Sequence, residues 1–325
     1  MRLDTEIIKE YLKEWNNLPS LTLARKIYAD NAEVFKNVEA VRSTIRYYRG
    51  RAGYYNRQKI IDTSFAEEYN KYTLPETEAE DYDDFILEGP KKILIFSDVH
   101  VPYHDIGAIS LMFDYAKDRE YTDILINGDF WDFHQMSYFQ KDPRKRHTKG
   151  ELDTGKAFLT KLREVFPTQK IYFKIGNHEE RWESYLMNKA PELFDMHEFR
   201  LEEVFPFLDL GIETVSDKRI IKAGKLNILH GHELQLKGVT VNPARSTFLK
   251  TYQNTLVGHL HKPSEHTEKN LGGEVVSCWS TGCMCWMHPH YAPINKWSHG
   301  FASVKLEESG NFSVKNKKII EGEIL

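Results

Sequence analysis

The chain has 325 residues, 41% of them aliphatic or aromatic and 28% charged, and carries a formal net charge of −4. That length exceeds what one hydrophobic core usually organises, so a large domain plus a smaller one is expected. The balance excludes a disordered chain, and no apolar run is long enough to span a bilayer as a helix.

The start, MRLDTEIIKEYLKEW, is charged and amphipathic and does not read as a secretory leader. A cytoplasmic location is therefore expected, in a host cytoplasm if the chain is virus-encoded. Three cysteines, Cys278, Cys283 and Cys285, fall in one stretch. An odd count argues against a disulfide framework, and their spacing misses the paired pattern of a structural zinc site, so buried reduced thiols are expected.

The first sixty residues read as three helices. Ile7, Ile8, Tyr11, Leu12 and Trp15 line one helical face. Ser20 can cap a second helix bearing Leu21, Leu23, Ala24, Ile27 and Tyr28. Asn37 can cap a third, with Val38, Val41, Ile45 and Tyr48 facing inward. A short helix, a turn and a basic helix are compatible with a helix-turn-helix. Arg42, Arg46 and Arg49 recur at offsets of four and seven, beside Tyr47, Tyr54 and Tyr55. Such a face suits phosphate contacts and base stacking, in DNA or RNA, and equally suits a solvated surface packed on an acidic segment. That segment follows: Ile61 to Pro90 holds ten acids against the single Lys71. The expected organisation is a helical module over 1–60, an acidic linker over 61–90 and a catalytic domain over 91–325.

From residue 91 strands alternate with helices, which predicts an α/β architecture. Strands are expected at Lys92–Phe96, Thr122–Ile126, Lys170–Lys174, Leu226–Leu229 and Thr255–Val257, with helices at Gly107–Ala116 and Thr154–Val165 between them. Just after each strand comes a polar cluster: Asp98-Val99-His100, Gly128-Asp129-Phe130-Trp131-Asp132, Gly176-Asn177-His178-Glu179, His230-Gly231-His232 and Gly258-His259-Leu260-His261. Ligands of open α/β sheets bind beyond the carboxyl ends of strands, where every cluster falls. Imidazole and carboxylate donors suit Mn, Fe, Zn or Ni, and two such ions can activate water while clamping a phosphate. Asp98 with His100, and His259 with His261, are two apart, so on extended backbone each pair points one way. Gly128, Gly176, Gly231 and Gly258 fit turns where backbone approaches a ligand.

In order and spacing these five clusters resemble the calcineurin-like metallophosphoesterase superfamily, over roughly residues 91 to 325. The whole chain, helical module included, is similar to members found in phages and prophage-bearing bacteria. The resemblance implies a sandwich of two β-sheets flanked by helices, with two divalent ions, Mn²⁺ first among them. It implies that Asp98, His100, Asp129 and His261 hold one ion, and that Asp129, Asn177, His230 and His259 hold the other, with Asp129 as bridge. His178 is implied as the acid that protonates the leaving oxygen, with Asp132 orienting it. Glu179 is expected to support the ligands, and His232 to lie at the rim or behind them.

Substrate is less legible. Protein phosphatases of the superfamily carry an arginine after the second aspartate of the second cluster; here Phe133 and His134 follow, which weighs against a phosphoprotein. The basic loop Lys141, Arg144, Lys145, Arg146 and His147 can reach over a cleft or simply be solvated, and Arg181 and Arg245 are further candidates for phosphate contact. The leading expectation is a phosphodiesterase acting on nucleic acid or a nucleotide, followed by a small-molecule phosphomonoesterase. A DNA-binding module with a merely structural esterase domain would have a broken ligand set, and this set is intact.

Overall fold

In the computed structural model, the described residues are 3–15, 18, 20–49, 82–141, 148–194, 196–236, 241–289 and 292–325, apart from the side chains of residues 3, 4, 39, 46, 47 and 49. The chain divides into two compact units, Met1–Asp81 and Tyr82–Leu325.

In the first unit, α1 (Leu3–Glu14), α2 (Ser20–Asp30) and α3 (Val38–Arg49) pack around Ile8, Leu23, Ala24, Ile27, Val41 and Ile45. Asn37 caps α3, its Oδ1 accepting from Ala40 N at 2.8 Å, as the sequence predicts. Arg42 does not stand on an open basic face. It is only 5% exposed, because it sits between Val41 and Ile45 on the flank of the stripe that α3 buries. The side chains of Arg46 and Arg49 lie outside the described residues, as do the whole of Tyr54 and Tyr55.

The second unit begins earlier than expected. Strand β1 (Phe85–Leu87) lies inside the anticipated linker, yet pairs in parallel with β6 (Ile221–Ala223) and buries Phe85 and Leu87. The boundary therefore moves from residue 91 to Tyr82. Between β1 and β6 come β2 (Lys91–Phe96), α4 (Ile106–Lys117), β3 (Asp123–Asn127), α5 (Thr148–Val165), β4 (Lys170–Lys174), α6 (Glu180–Lys189), the short α7 (Pro191–Phe194) and α8 (Leu201–Val204), and β5 (Ile212–Val215). After β6 follow β7 (Leu226–Leu229), α9 (Pro243–Thr251), β8 (Thr255–Val257), β9 (Ser264–Lys269), β10 (Val275–Ser280), β11 (His299–Leu306), β12 (Phe312–Ile320) and β13 (Glu323–Ile324).

These strands form a six-stranded sheet ordered β1-β6-β7-β8-β10-β9 and a seven-stranded sheet ordered β13-β12-β11-β2-β3-β4-β5. The period-two alternation of β2 explains the layering. Ile93 and Ile95 join Leu125, Tyr172, Ile228, Leu256 and Val304 in the core between the sheets. Leu94 and Phe96 face the other way, onto Met112, Leu159, Leu162 and the aromatic group around Trp131. On the second sheet, Ala244 and Phe248 of α9 cover Val276 and Cys278. The result is a sandwich of two sheets with helices on the outside, as expected.

Strands β2 to β5 run parallel, and so do β7 and β8. Their carboxyl ends are stitched together across the two sheets. Asn127 Nδ2 donates to Leu229 O at 2.7 Å, and His259 N donates to Asp98 Oδ2 at 2.9 Å. All five polar clusters consequently meet at one edge of the sandwich.

Candidate metal centre

Three of the five ligand-bearing loops leave their strands through residues with left-handed backbone. Asp98, His100, Asp129, His259 and His261 all have φ between 49° and 62°. The expected extended backbone for the two-apart pairs is therefore wrong. Both members of each pair take left-handed backbone with one ordinary residue between them, and the turn this makes leaves both side chains facing inward. L-residues disfavour that region by about 1–2 kcal/mol each, so its use at five polar positions in one place marks a functional demand. Gly128, at φ +84°, serves the same edge for a different reason, since a Cβ there would lie 2.5 Å from His230 Nδ1.

The side chains converge in two overlapping groups. In the first, Asp98 Oδ1 lies 3.0 Å from His261 Nε2, which lies 3.2 Å from His100 Nε2; one ligand atom each of Asp98, His100 and Asp129 falls within a 4.8 Å span. In the second, Asp129 Oδ2 lies 3.2 Å from His230 Nε2 and 4.0 Å from His259 Nδ1. Asp129 belongs to both groups. Asn177 lies between Gly176 and His178, both of which pack on Asp129, and its Oδ1 is shielded from solvent without a hydrogen-bond partner among the described residues. A buried amide oxygen without a donor is costly, and a cation ligand relieves it. His230 is held in the tautomer a metal needs, because its Nδ1 is engaged by Asn127 O at 2.7 Å and Nε2 faces Asp129. The residues fit a pair of divalent ions.

Electrostatics say the same. Burial opposes ionisation of Asp98 and Asp129, but His261 beside the first and His230 beside the second hold both carboxyls below their usual range. Burial alone would depress His230 and His261; the facing carboxylates reverse this and raise them to about 10 and about 9. The cluster demands compensating positive charge, which protons on imidazoles or divalent cations both provide, so metal binding here releases protons.

Glu179 underpins the centre. Its Oε2 accepts from Asp129 N (2.9 Å) and Gly176 N (2.8 Å), its Oε1 from Phe130 N (2.8 Å) and Trp131 N (3.0 Å). Burial and the charge of Asp129 push its carboxyl up to about 7, against the pull of those amides. His232 lies behind the ligands at the rim, 3.3 Å from Glu180 Oε1 and 3.5 Å from Glu233 Oε2.

His178 is arranged differently from expectation. Its Nδ1 meets the main-chain carbonyl of Asp132 at 2.8 Å, whereas the Asp132 carboxylate is 3.5 Å from it and closer, 3.3 Å, to His100 Nδ1. Asp132 thus orients His178 through its backbone and faces His100 with its side chain. The Nε2 of His178 accepts from Arg181 Nη2 at 2.8 Å, while Arg181 Nη1 donates to Asp132 O at 2.7 Å. Burial, with Arg181 and His100 nearby, lowers the imidazole to about 3 despite Asp129. His178 is a neutral acceptor in this arrangement. Phe133 is fully buried against Trp131 and Trp182, so the position that carries arginine in protein phosphatases contributes only packing here. His134 begins a short 3-10 turn after that cluster. Arg245 is exposed on α9, on the outer face of the six-stranded sheet. Arg144 and Arg146 lie outside the described residues.

Sequence reasoning missed three supporting residues. Lys174 is fully buried at the end of β4, donating to Ser216, Asp217 and Arg219 carbonyls and pairing with Glu233 Oε1 at 3.2 Å. Glu233 in turn accepts from His230 N at 3.1 Å and Gly231 N at 2.6 Å, fixing the ligand turn. Glu151 of α5 accepts from Phe133 N at 2.5 Å, behind the Asp132 turn. A lysine in an apolar strand is the one local signal, since an unpaired charge cannot be buried there. Trp297 packs edge-on against His261 with ring centres 4.2 Å apart.

The profile of the calcineurin-like phosphoesterases matches residues 91–283. The chain belongs to this family. Calcineurin-like phosphoesterases bind a dinuclear metal centre, and the two groups sharing Asp129 supply the donors for one here. Among curated proteins, the Gene 54 protein of Mycobacterium phage D29 is 23% identical over 199 residues, covering 58% of this chain and 77% of that protein. Among solved structures, a dimetal phosphatase from Danio rerio aligns with a TM-score of 0.37 at 13% identity, covering 72% of this chain and 98% of that one. The phosphoesterase Yfce of E. coli aligns at 0.32 and 14%, covering 66% and 90%. Vps29 from Cryptosporidium parvum aligns at 0.41 and 13%, covering 73% and 96%.

Proposed function

We propose that this phosphoesterase is a two-metal phosphodiesterase acting on nucleic acid or a nucleotide. The observation that carries the reading is the complete donor set, seven side chains in two groups that share Asp129, with a neutral Asn177 among them. When bound, the ions activate water and draw charge from the phosphoryl oxygens. Around them, Asp98 and Asp129 stay ionised, His230 keeps its tautomer, and Glu179 and Glu233 hold the loops still. Arg181 reaches the same lip and can exchange its bond to His178 Nε2 for a substrate oxygen. His178 Nε2, released from Arg181, is then free to carry a proton, which is what an acid at the leaving oxygen requires. The absence of an arginine at Phe133 supports a non-protein substrate, and similarity to a phage protein supports action in a host cytoplasm.

A second reading, a small-molecule phosphomonoesterase, is favoured by Arg181, whose guanidinium suits a terminal phosphate dianion. Purified protein with Mn²⁺ assayed on bis-p-nitrophenyl phosphate, p-nitrophenyl phosphate, and single- and double-stranded DNA separates the two. Chelator-sensitive diester cleavage exceeding monoester cleavage is expected. Turnover of the monoester alone would overturn the diesterase reading.

A further inference from the structure

Beside the expected ligands stands a donor of another kind. The Sγ of Cys285 and one ring nitrogen each of His100 and His261 all lie within 4.8 Å of one another, and all three residues are buried. An ion bound to nitrogen at about 2.1 Å and to sulfur at about 2.3 Å keeps those donors within about 4.4 Å. Tetrahedral donors around such an ion stand about 3.6 Å apart, so the side chains need to close by up to about 1 Å to share it.

The position of Cys285 is built, not incidental. Met284 N donates to Asp98 O at 3.1 Å, Asp105 N donates to Met284 O at 2.9 Å, and Trp286 N donates to Tyr103 O at 2.7 Å. The segment holding Cys285 is thus strapped on both sides to the loop that carries Asp98 and His100. From the far side, His299 Nε2 meets Cys285 O at 2.9 Å. Cys283, two residues earlier, turns its sulfur toward Ser298 O at 3.8 Å. Cys285 is 2% exposed; its thiol shares a hydrogen bond with that of Cys283, and its sulfur also lies within reach of the two imidazoles.

We propose that Cys285 is a further donor to the ion held by Asp98, His100, Asp129 and His261, giving that half of the centre a soft ligand. The inference rests on the two-metal reading of the site. Coordination forms a sulfur–metal bond and releases the thiol proton to solvent. Thiolate selects zinc, iron(II) or cobalt over manganese, so the two halves differ in metal preference, with the Asn177-bearing half remaining the harder one.

The test is spectroscopic and uses full-length protein depleted of metal and reloaded with Co²⁺. Wild type is expected to show a near-ultraviolet sulfur-to-cobalt charge-transfer band. Cys285→Ser should lose the band and Cys283→Ser should keep it, while visible cobalt absorption and metal counting show all three loaded. Zn²⁺ binding by Cys285→Ser should weaken on the order of 10–100-fold, the scale known even for supporting partners, with Mn²⁺ binding much less affected. Wild type holding two cobalt ions without the band would overturn the proposal while leaving the metal centre intact, and this result does not depend on any variant folding. A band lost in Cys283→Ser and retained in Cys285→Ser would overturn it as well. Weakened zinc binding without a band would make Cys285 a hydrogen-bond partner of an imidazole rather than a ligand. Wild type that binds no cobalt would sink the two-metal reading itself.

Discussion

Replacing Glu179 with glutamine keeps the volume of the side chain and removes only its charge and one acceptor oxygen. In the wild-type arrangement both oxygens are spent on main-chain donors, two each, from Asp129, Gly176, Phe130 and Trp131. A glutamine must present its NH₂ to one of those pairs, leaving two buried N–H groups facing another donor. Orphaned buried donors cost about 1–3 kcal/mol each, so Glu179→Gln should destabilise the catalytic unit by about 2–6 kcal/mol. Because Asp129 N is among the donors, the bridging ligand shifts too, and metal affinity should fall by roughly 10–100-fold. Urea unfolding with and without Mn²⁺, alongside calorimetric metal titration, measures both. A variant as stable as wild type with unchanged metal affinity would refute the reasoning, because it would mean the four amides are satisfied without the carboxylate.

Asp129→Ala should remove both ions, whereas His261→Ala should leave about one; metal counting by mass spectrometry after gel filtration distinguishes them. Lys174→Met should cost roughly 3–5 kcal/mol by stranding Glu233, and should weaken the His230 half of the centre more than the other, read by denaturant melts and metal titration. Burial raises the Glu151 carboxyl from 4.5 to about 8. The fold therefore prefers the protonated form, and stability should decline as pH rises from 4.5 through about 8 and then level off; Glu151→Gln should flatten that decline in melts across the window. His178→Ala should retain metal and lose ~10²–10⁴-fold in kcat on substrates with poor leaving groups, and much less on nitrophenyl esters. An equal loss on both would make the residue a support for Arg181.

The legible parts of this chain are those whose signal is local. Lys170–Lys174 and Leu226–Leu229 are strands over the residues read from their apolar runs, because buried parallel strands must be apolar on both faces. The ligand clusters were visible because metal chemistry constrains residue type and spacing. What was hidden depends on distant partners. Phe85–Leu87 is short and follows an acidic stretch, and becomes a strand only by pairing with Ile221–Ala223. Ser264–Lys269 is polar almost throughout, as an edge strand with little buried can be. Lys174 and Glu233 find each other across nearly sixty positions of sequence, and the burial of Arg42 follows from how three helices close rather than from its own spacing. The left-handed backbone of the ligands has no sequence signature in aspartate and histidine beyond mild tolerance.

His100 and His261 stand 3.2 Å apart in space and 161 residues apart along the chain. An ion bridging them fastens one sheet to the other and closes a loop of that length, a constraint on the unfolded ensemble that grows with the logarithm of the span. A metal held there would be a clasp as well as a reagent: loaded, the two sheets would tend to come apart together with release of the ion, and the metal supply would bear on how long the sandwich stays closed.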